Sequence, residues 1–228
     1  MAQTASATQL NTQAVVTDVL ATIERERERE IIARRFGLFD RKETLEQIGE
    51  MLGITRERVR QLEKSVIARL RTTAEHGNVP HIADFQASVL EILKGNGDVA
   101  RVSDLAAKLT ADANREEQAR VAFLSQLGPE LAVLNEDDTY YLSVSVKSVF
   151  DEKALKTRVA EIIAAIKKIG EPESIEKIAK AAGFSDVKQA AALASTSKQL
   201  ATLNGRWGLV KWPMVNPKNI RDKIYVIL

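Results

Sequence analysis

The chain has 228 residues, 45% of them hydrophobic, with 33 basic and 31 acidic side chains and a formal net charge of +2. That length suits two or three units of about 60–80 residues rather than one small helical domain, and three are expected. Zero cysteines exclude disulfides, thiolate metal sites and cysteine nucleophiles, the balanced charge removes any global field as an argument for polyanion binding, and 5% aromatic content leaves few platforms for stacking single-stranded bases.

Residues 1–11 are polar and are expected to be disordered. Nothing resembles a signal peptide, and no apolar run approaches the roughly 18 residues of a membrane span, so a cytoplasmic protein with no membrane partner is expected. ERERERE at 24–30 places opposite charges at i,i+3 and like charges at i,i+4, which reads as a mixed, solvated face. Thr44 can cap a short helix that turns Leu45, Ile48 and Leu52 inward, and Gly53 permits a tight turn after it. Ile54 and Thr55 then serve as hydrophobic staple and N-cap of a second helix. At about 100° per residue, Val59, Leu62, Val66 and Leu70 share one arc of that helix, and Arg56, Glu57, Arg60, Gln61 and Lys64 fall roughly opposite. One face packs and the other can enter a groove. Guanidinium forks match the guanine edge, Gln matches adenine, and Glu accepts from cytosine. The excess of Arg56, Arg58, Arg60, Lys64, Arg69 and Arg71 over Glu57 and Glu63 adds attraction for phosphate.

From Val19 to Arg71 the chain resembles region 4 of bacterial primary sigma factors, the domain that reads the −35 promoter element. RFGL at 35–38, TLEQIGEMLGITRERVRQLE at 44–63 and ARLR at 68–71 carry the resemblance. It implies that Arg56, Glu57, Arg60 and Gln61 face bases, and that Arg27, Thr44 and Leu45 (the last through its backbone amide) face phosphates, with Arg58 and Lys64 beside them. It also implies an apolar cradle for a helix of the RNA polymerase β flap on the side away from DNA, with Val19, Ile23 and Ile31 as expected polymerase contacts. Nothing in the sequence resembles the aromatic, basic region that melts the −10 element.

Gly77, Asn78 and Pro80 break the helix and supply a linker at 72–80. An internal repeat follows: residues 89–109 and 161–182 share an apolar-periodic helix, a Gly-acid turn and a second helix. Each copy continues with another helix, near 115–127 and 187–195, and a short strand pair, at 131–144 and 200–210. Three helices and a hairpin are the winged-helix plan. Asn204-Gly205 marks a two-residue hairpin turn, and Glu136 to Thr139 a looser acidic tip. The second copy, with RWGLVKW and the trailing NPKNIRDKIYVIL, resembles the HARE-type helix-turn-helix of the RNA polymerase delta subunit. A final helix is expected from Asn216, with Ile220, Ile224 and Ile227 at helical spacing.

The fold expected is therefore mainly α: a sigma region 4-like helix-turn-helix domain at 12–75, then two small winged-helix (α+β) domains at 81–146 and 152–228. His76 and His81 lack a third ligand, and no nucleotide or nucleophile motif appears; neither metal, cofactor nor enzymatic activity is expected. The function expected is a bacterial, nucleoid-associated transcription factor reading a −35-like DNA duplex and contacting RNA polymerase. The alternative is a polymerase accessory subunit that occupies the β-flap site without reading sequence.

Overall fold

The computed structural model describes residues 10–218. The expected final helix lies outside them, apart from its first residues, Asn216 to Lys218. Among the described residues the fold is mostly helical with two small antiparallel sheets, as the sequence leads one to expect. The first four helices are α1 (Thr12–Ala21), α2 (Glu26–Phe36), α3 (Leu45–Leu52) and α4 (Arg56–Glu75). Two copies of one six-element order follow. The first is α5 (Ile82–Gly95), β1 (Val99–Arg101), α6 (Val102–Leu109), α7 (Arg115–Leu127), β2 (Leu131–Leu134) and β3 (Ser143–Val146). The second is α8 (Glu152–Ile169), β4 (Glu173–Ser174), α9 (Ile175–Ala181), α10 (Val187–Ser195), β5 (Leu200–Leu203) and β6 (Arg206–Leu209).

Both sheets have the same topology, with the last strand in the middle: β1-β3-β2 and β4-β6-β5. The repeat is thus winged-helix in plan twice over. The short strands β1 and β4 are additions to what periodicity reveals, because two or three residues carry no pattern of period two. Asn204 and Gly205 take φ of 50° and 76°, the left-handed pair that a type I′ hairpin demands, and Leu203 pairs with Arg206 across them. The second strand of the pair expected at 131–144 begins only at Ser143. Tyr140 and Tyr141 instead pair with the segment after α10, through a bridge from Tyr140 to Ser197 and a bond from the Tyr141 amide to the Thr196 carbonyl.

Packing divides the described residues into two compact units, 10–90 with Val102–Leu131, and Glu91–Arg101 with 132–218. The elements of the first repeat are shared between them, so the three-segment division remains a proposal about chain order.

In the first unit α7 lies against α1, α2 and α4. The Phe36 and Phe123 rings are 5.1 Å apart. Arg120, 7% exposed, donates from Nε to the Leu38 carbonyl at 2.8 Å and from Nη1 to Glu117 at 2.6 Å. Arg71 of α4 donates to the Gln126 carbonyl at 2.8 Å, and Thr12 donates to Glu117. From Arg120 to Leu127 every residue of α7 is buried except Gln126, which is half-buried.

In the second unit Val159, Ile162, Ile166, Ile178, Leu193 and Ala194 form a core with Leu200, Leu209 and Tyr140. Helix α10 packs against β1. Arg101 of β1 donates to the Ser195 carbonyl, and a Cβ at Gly97 would stand 2.5 Å from the Gln189 Cα. Of α10, only Lys188 is exposed. The two tryptophans border this core, Trp207 and Trp212 packing at its edge.

Gly97→Ala should therefore destabilise the second unit by about 2 kcal/mol or more, from left-handed strain plus a backbone clash. Gly205→Ala, equally left-handed but with nothing within 4 Å of the new Cβ, should cost less. Urea unfolding followed by emission from the two tryptophans, both in this unit, measures the difference.

Candidate nucleic-acid interface

The helix-turn-helix begins with a reciprocal cap: the Thr44 hydroxyl accepts from the Gln47 amide at 3.2 Å, and the Gln47 side chain accepts from the Thr44 amide at 2.9 Å. The Leu45 amide lies in the first turn of α3, where a helix has no internal acceptor to offer. Gly53 ends α3 in the left-handed region at φ 64°. Thr55 caps α4 by accepting from the Arg58 amide at 3.2 Å. Ile31, Ile48 and Val59 form the buried centre, with Leu45, Leu52, Ile54 and Leu62 packed around it. A residue that periodicity does not reveal closes the turn: a Cβ at Gly49 would lie 2.7 Å from the Ile54 carbonyl oxygen, so only glycine lets α3 sit this near the chain entering α4.

The expected base-facing residues Arg56, Glu57, Arg60 and Gln61 are all exposed near the start of α4, and the structure brings them together. Arg60 holds Glu57 in a two-pronged pair, Nε to Oε2 at 2.9 Å and Nη2 to Oε1 at 2.7 Å. Gln61 donates to the same carboxylate at 3.3 Å. Arg56 reaches back across the turn to Glu46 of α3 at 2.9 Å. The Arg60 guanidinium hydrogen-bonded to it holds the Glu57 carboxyl below its ordinary range, and Glu57 in turn raises Arg60. Before any ligand arrives, both arginines of the quartet are thus matched by carboxylates. Arg58 makes a long contact to Gln61, at 3.4 Å, and Lys64 is exposed, with no ion pair to an acidic side chain among the described residues. These two supply the uncompensated charge of the arc. Arg27 is exposed on α2 and donates to the carbonyl of Leu52 at the end of α3, which ties its guanidinium to the helix-turn-helix.

Two expectations are corrected. The run at 24–30 is more than a solvated face: Glu28 is 4% exposed and pairs with Arg69 of α4 and, at 3.5 Å, with Arg25. It lies one turn before Ile31 and Ile32, on the packed side of α2. The apolar residues expected to meet polymerase are interior as well. Val19 and Ile31 are fully buried and Ile23 is 4% exposed, Ile31 within the cluster it forms with Ile48 and Val59. Among the described residues no helix is long and apolar enough to cross a membrane.

Residues 25–72 match the family model for Sigma-70, region 4. Over 55 residues the chain is 49% identical to RNA polymerase sigma factor SigA of a Bacillus species, covering 24% of this chain and 14% of that protein. Over 49 residues it is 55% identical to RNA polymerase sigma factor RpoD of Helicobacter pylori, covering 21% and 7%. Over 54 residues it is 44% identical to RNA polymerase sigma factor sigB of Arabidopsis thaliana, covering 23% and 9%. The chain thus spans a small fraction of the length of these relatives. No solved structure matches it.

Because Glu57 titrates below its ordinary value of 4.5, its pair with Arg60 is kept above that value and lost only as pH falls through the lowered one. Wild type and Glu57→Gln should therefore bind DNA with parallel pH profiles from pH 8 to pH 5. Freeing Arg60 should steepen the salt dependence on random duplex by about 0.9 in log K against log salt, as for one added phosphate contact. Fluorescence-anisotropy titrations over a salt series measure both.

Proposed function

We propose that the chain is a DNA-binding, RNA polymerase-associated transcription regulator that reads a −35-like duplex with the start of α4. The observation carrying this reading is the exposed Arg56, Glu57, Arg60 and Gln61 cluster on the second helix of a sigma-70 region 4 domain. Such residues distinguish base edges in the major groove, and a helix-turn-helix presents its second helix to that groove. Thr44, the Leu45 amide, Arg27, Arg58 and Lys64 are assigned to phosphates. The setting proposed is the bacterial cytoplasm, at the nucleoid.

The flap-occupying alternative is disfavoured by the burial of Val19, Ile23 and Ile31, because a helix docks through exposed anchors. Polymerase association is proposed through other surfaces, with the HARE-like second repeat as the candidate. Neither repeat is proposed to read bases with its third helix, since α7 and α10 are enclosed within their own units.

Arg60→Ala or Gln61→Ala should cost about 1–3 kcal/mol on the preferred duplex and little on random DNA, whereas Arg27→Ala should weaken both about equally. Titrations of each variant against both duplexes decide the matter, and equal losses for Arg60→Ala on the two would reduce α4 to a phosphate binder.

A further inference from the structure

The two arginines of the base-facing cluster are held in different ways. Arg60 spends the Nε–Nη2 edge of its guanidinium on Glu57, at 2.9 and 2.7 Å, one turn back on its own helix. That edge is a fork of two donors, the kind that matches guanine O6 and N7, so Arg60 must surrender Glu57 before using it. Arg56, the first residue of α4, is held by Nη1 instead, 2.9 Å from Oε1 of Glu46, the second residue of α3. Among the described residues no hydrogen bond occupies its Nε–Nη2 edge. Glu57 is close enough to feel the Arg56 charge, yet its own hydrogen bonds go to Arg60 and Gln61. Arg56 therefore has Glu46 as its own partner, and both side chains are exposed, at 68% and 55%. The other acid of α3, Glu50, is in no ion pair among the described residues.

The backbone beneath this pair is fixed. The Ile54 amide donates to the Gly49 carbonyl at 2.9 Å, a Cβ at Gly49 would lie 2.7 Å from the Ile54 carbonyl oxygen, and the Arg27 side chain bonds the Leu52 carbonyl. With both helices held at the turn, the pair forms without ordering any chain segment, and side-chain freedom is all it consumes. We propose that Glu46 is a positioning residue for base reading, acting through Arg56: it holds the guanidinium by one nitrogen, leaves the opposite fork free for a base, and keeps this hold when DNA is bound. The inference rests on the reading of α4 as the base-reading helix and names the residue that orders one of its arginines in advance. Ordering a long side chain at the moment of binding costs about two- to tenfold in affinity, and Glu46 spares the selected duplex that loss. A duplex that offers Arg56 no matching base gains nothing from the fork, and it meets the Glu46 carboxylate as a like charge.

The probes are a fluorescent duplex selected from a randomised pool by the wild-type chain and a duplex of unselected sequence, each titrated with the full chain and followed by anisotropy. Glu46→Gln, which keeps the shape of an exposed side chain, should lower the ratio of the two affinities by about two- to tenfold. It should also lower the heteronuclear NOE of the Arg56 Nε–H in the free, isotope-labelled chain. In an Arg56→Ala background the same substitution should act on both duplexes alike and leave their ratio unchanged. A ratio in Glu46→Gln equal to or above that of wild type overturns the proposal, and so does an equal fall with and without Arg56. Arg56→Ala separates this from a failure of base reading itself. If it lowers the ratio while Glu46→Gln does not, the positioning role alone is refuted; if it weakens both duplexes equally, Arg56 reads no base and the positioning role falls with it.

Discussion

A helix enclosed by its neighbours cannot enter a DNA groove, and this constraint organises the protein. The repeat copies the winged-helix order twice, and in such a plan the third helix is the one normally offered to a ligand. Here α7 is held by α1, α2 and α4, with Arg120 spending its guanidinium on the Leu38 carbonyl and Glu117. Helix α10 is pressed so closely to the turn before β1 that only a glycine fits at position 97. Both third helices have become internal struts. Of the helix-turn-helix elements, α4 is the one whose polar arc remains open to a groove.

That arc is not a bare field of positive charge. Arg60 is clamped by Glu57, and Arg56 by Glu46, so base contact by Arg60 means trading one set of charge-assisted hydrogen bonds for another. Exposed pairs of this kind are individually worth little, and a good bidentate contact to the right base can replace them. A wrong base or a lone phosphate replaces them less completely. In the proposed function the carboxylates would act against indiscriminate binding as much as in favour of one sequence, and Arg58 and Lys64 would supply attraction without sequence preference.

Local rules made much of this legible. Thr44, Gly53 and Thr55 announce the caps and the turn, and each does in the structure what its chemistry requires. Asn204-Gly205 fixes its hairpin for the same reason. The helices at 115–127 and 187–195 were readable in extent, but their destinations were not. Phe123 meets Phe36 and Arg101 meets Ser195 across long stretches of chain, and hydrophobic periodicity says which face is buried without saying against what. The run at 24–30 shows the same limit: alternating charges look solvated until α4 brings Arg69 to Glu28. Gly49 was silent because its role is set by a carbonyl five residues later, not by its own conformation. The exposure of Arg56, Glu57, Arg60 and Gln61 on one arc was legible from helical periodicity, while the ion pairs that restrain them depend on side-chain reach and were not.

The central claim is that DNA contact belongs to the helix-turn-helix and not to the third helices of the repeats. Its most direct test is an amide and arginine side-chain NMR titration of the isotope-labelled full chain with a −35-like duplex. The account predicts the largest shifts at Thr44, Leu45, Arg56, Glu57, Arg60 and Gln61, with α10 and the interior of α7 unmoved. Shifts concentrated at Lys188 and Gln189, or along Arg120 to Leu127, with α4 unaffected, would contradict it.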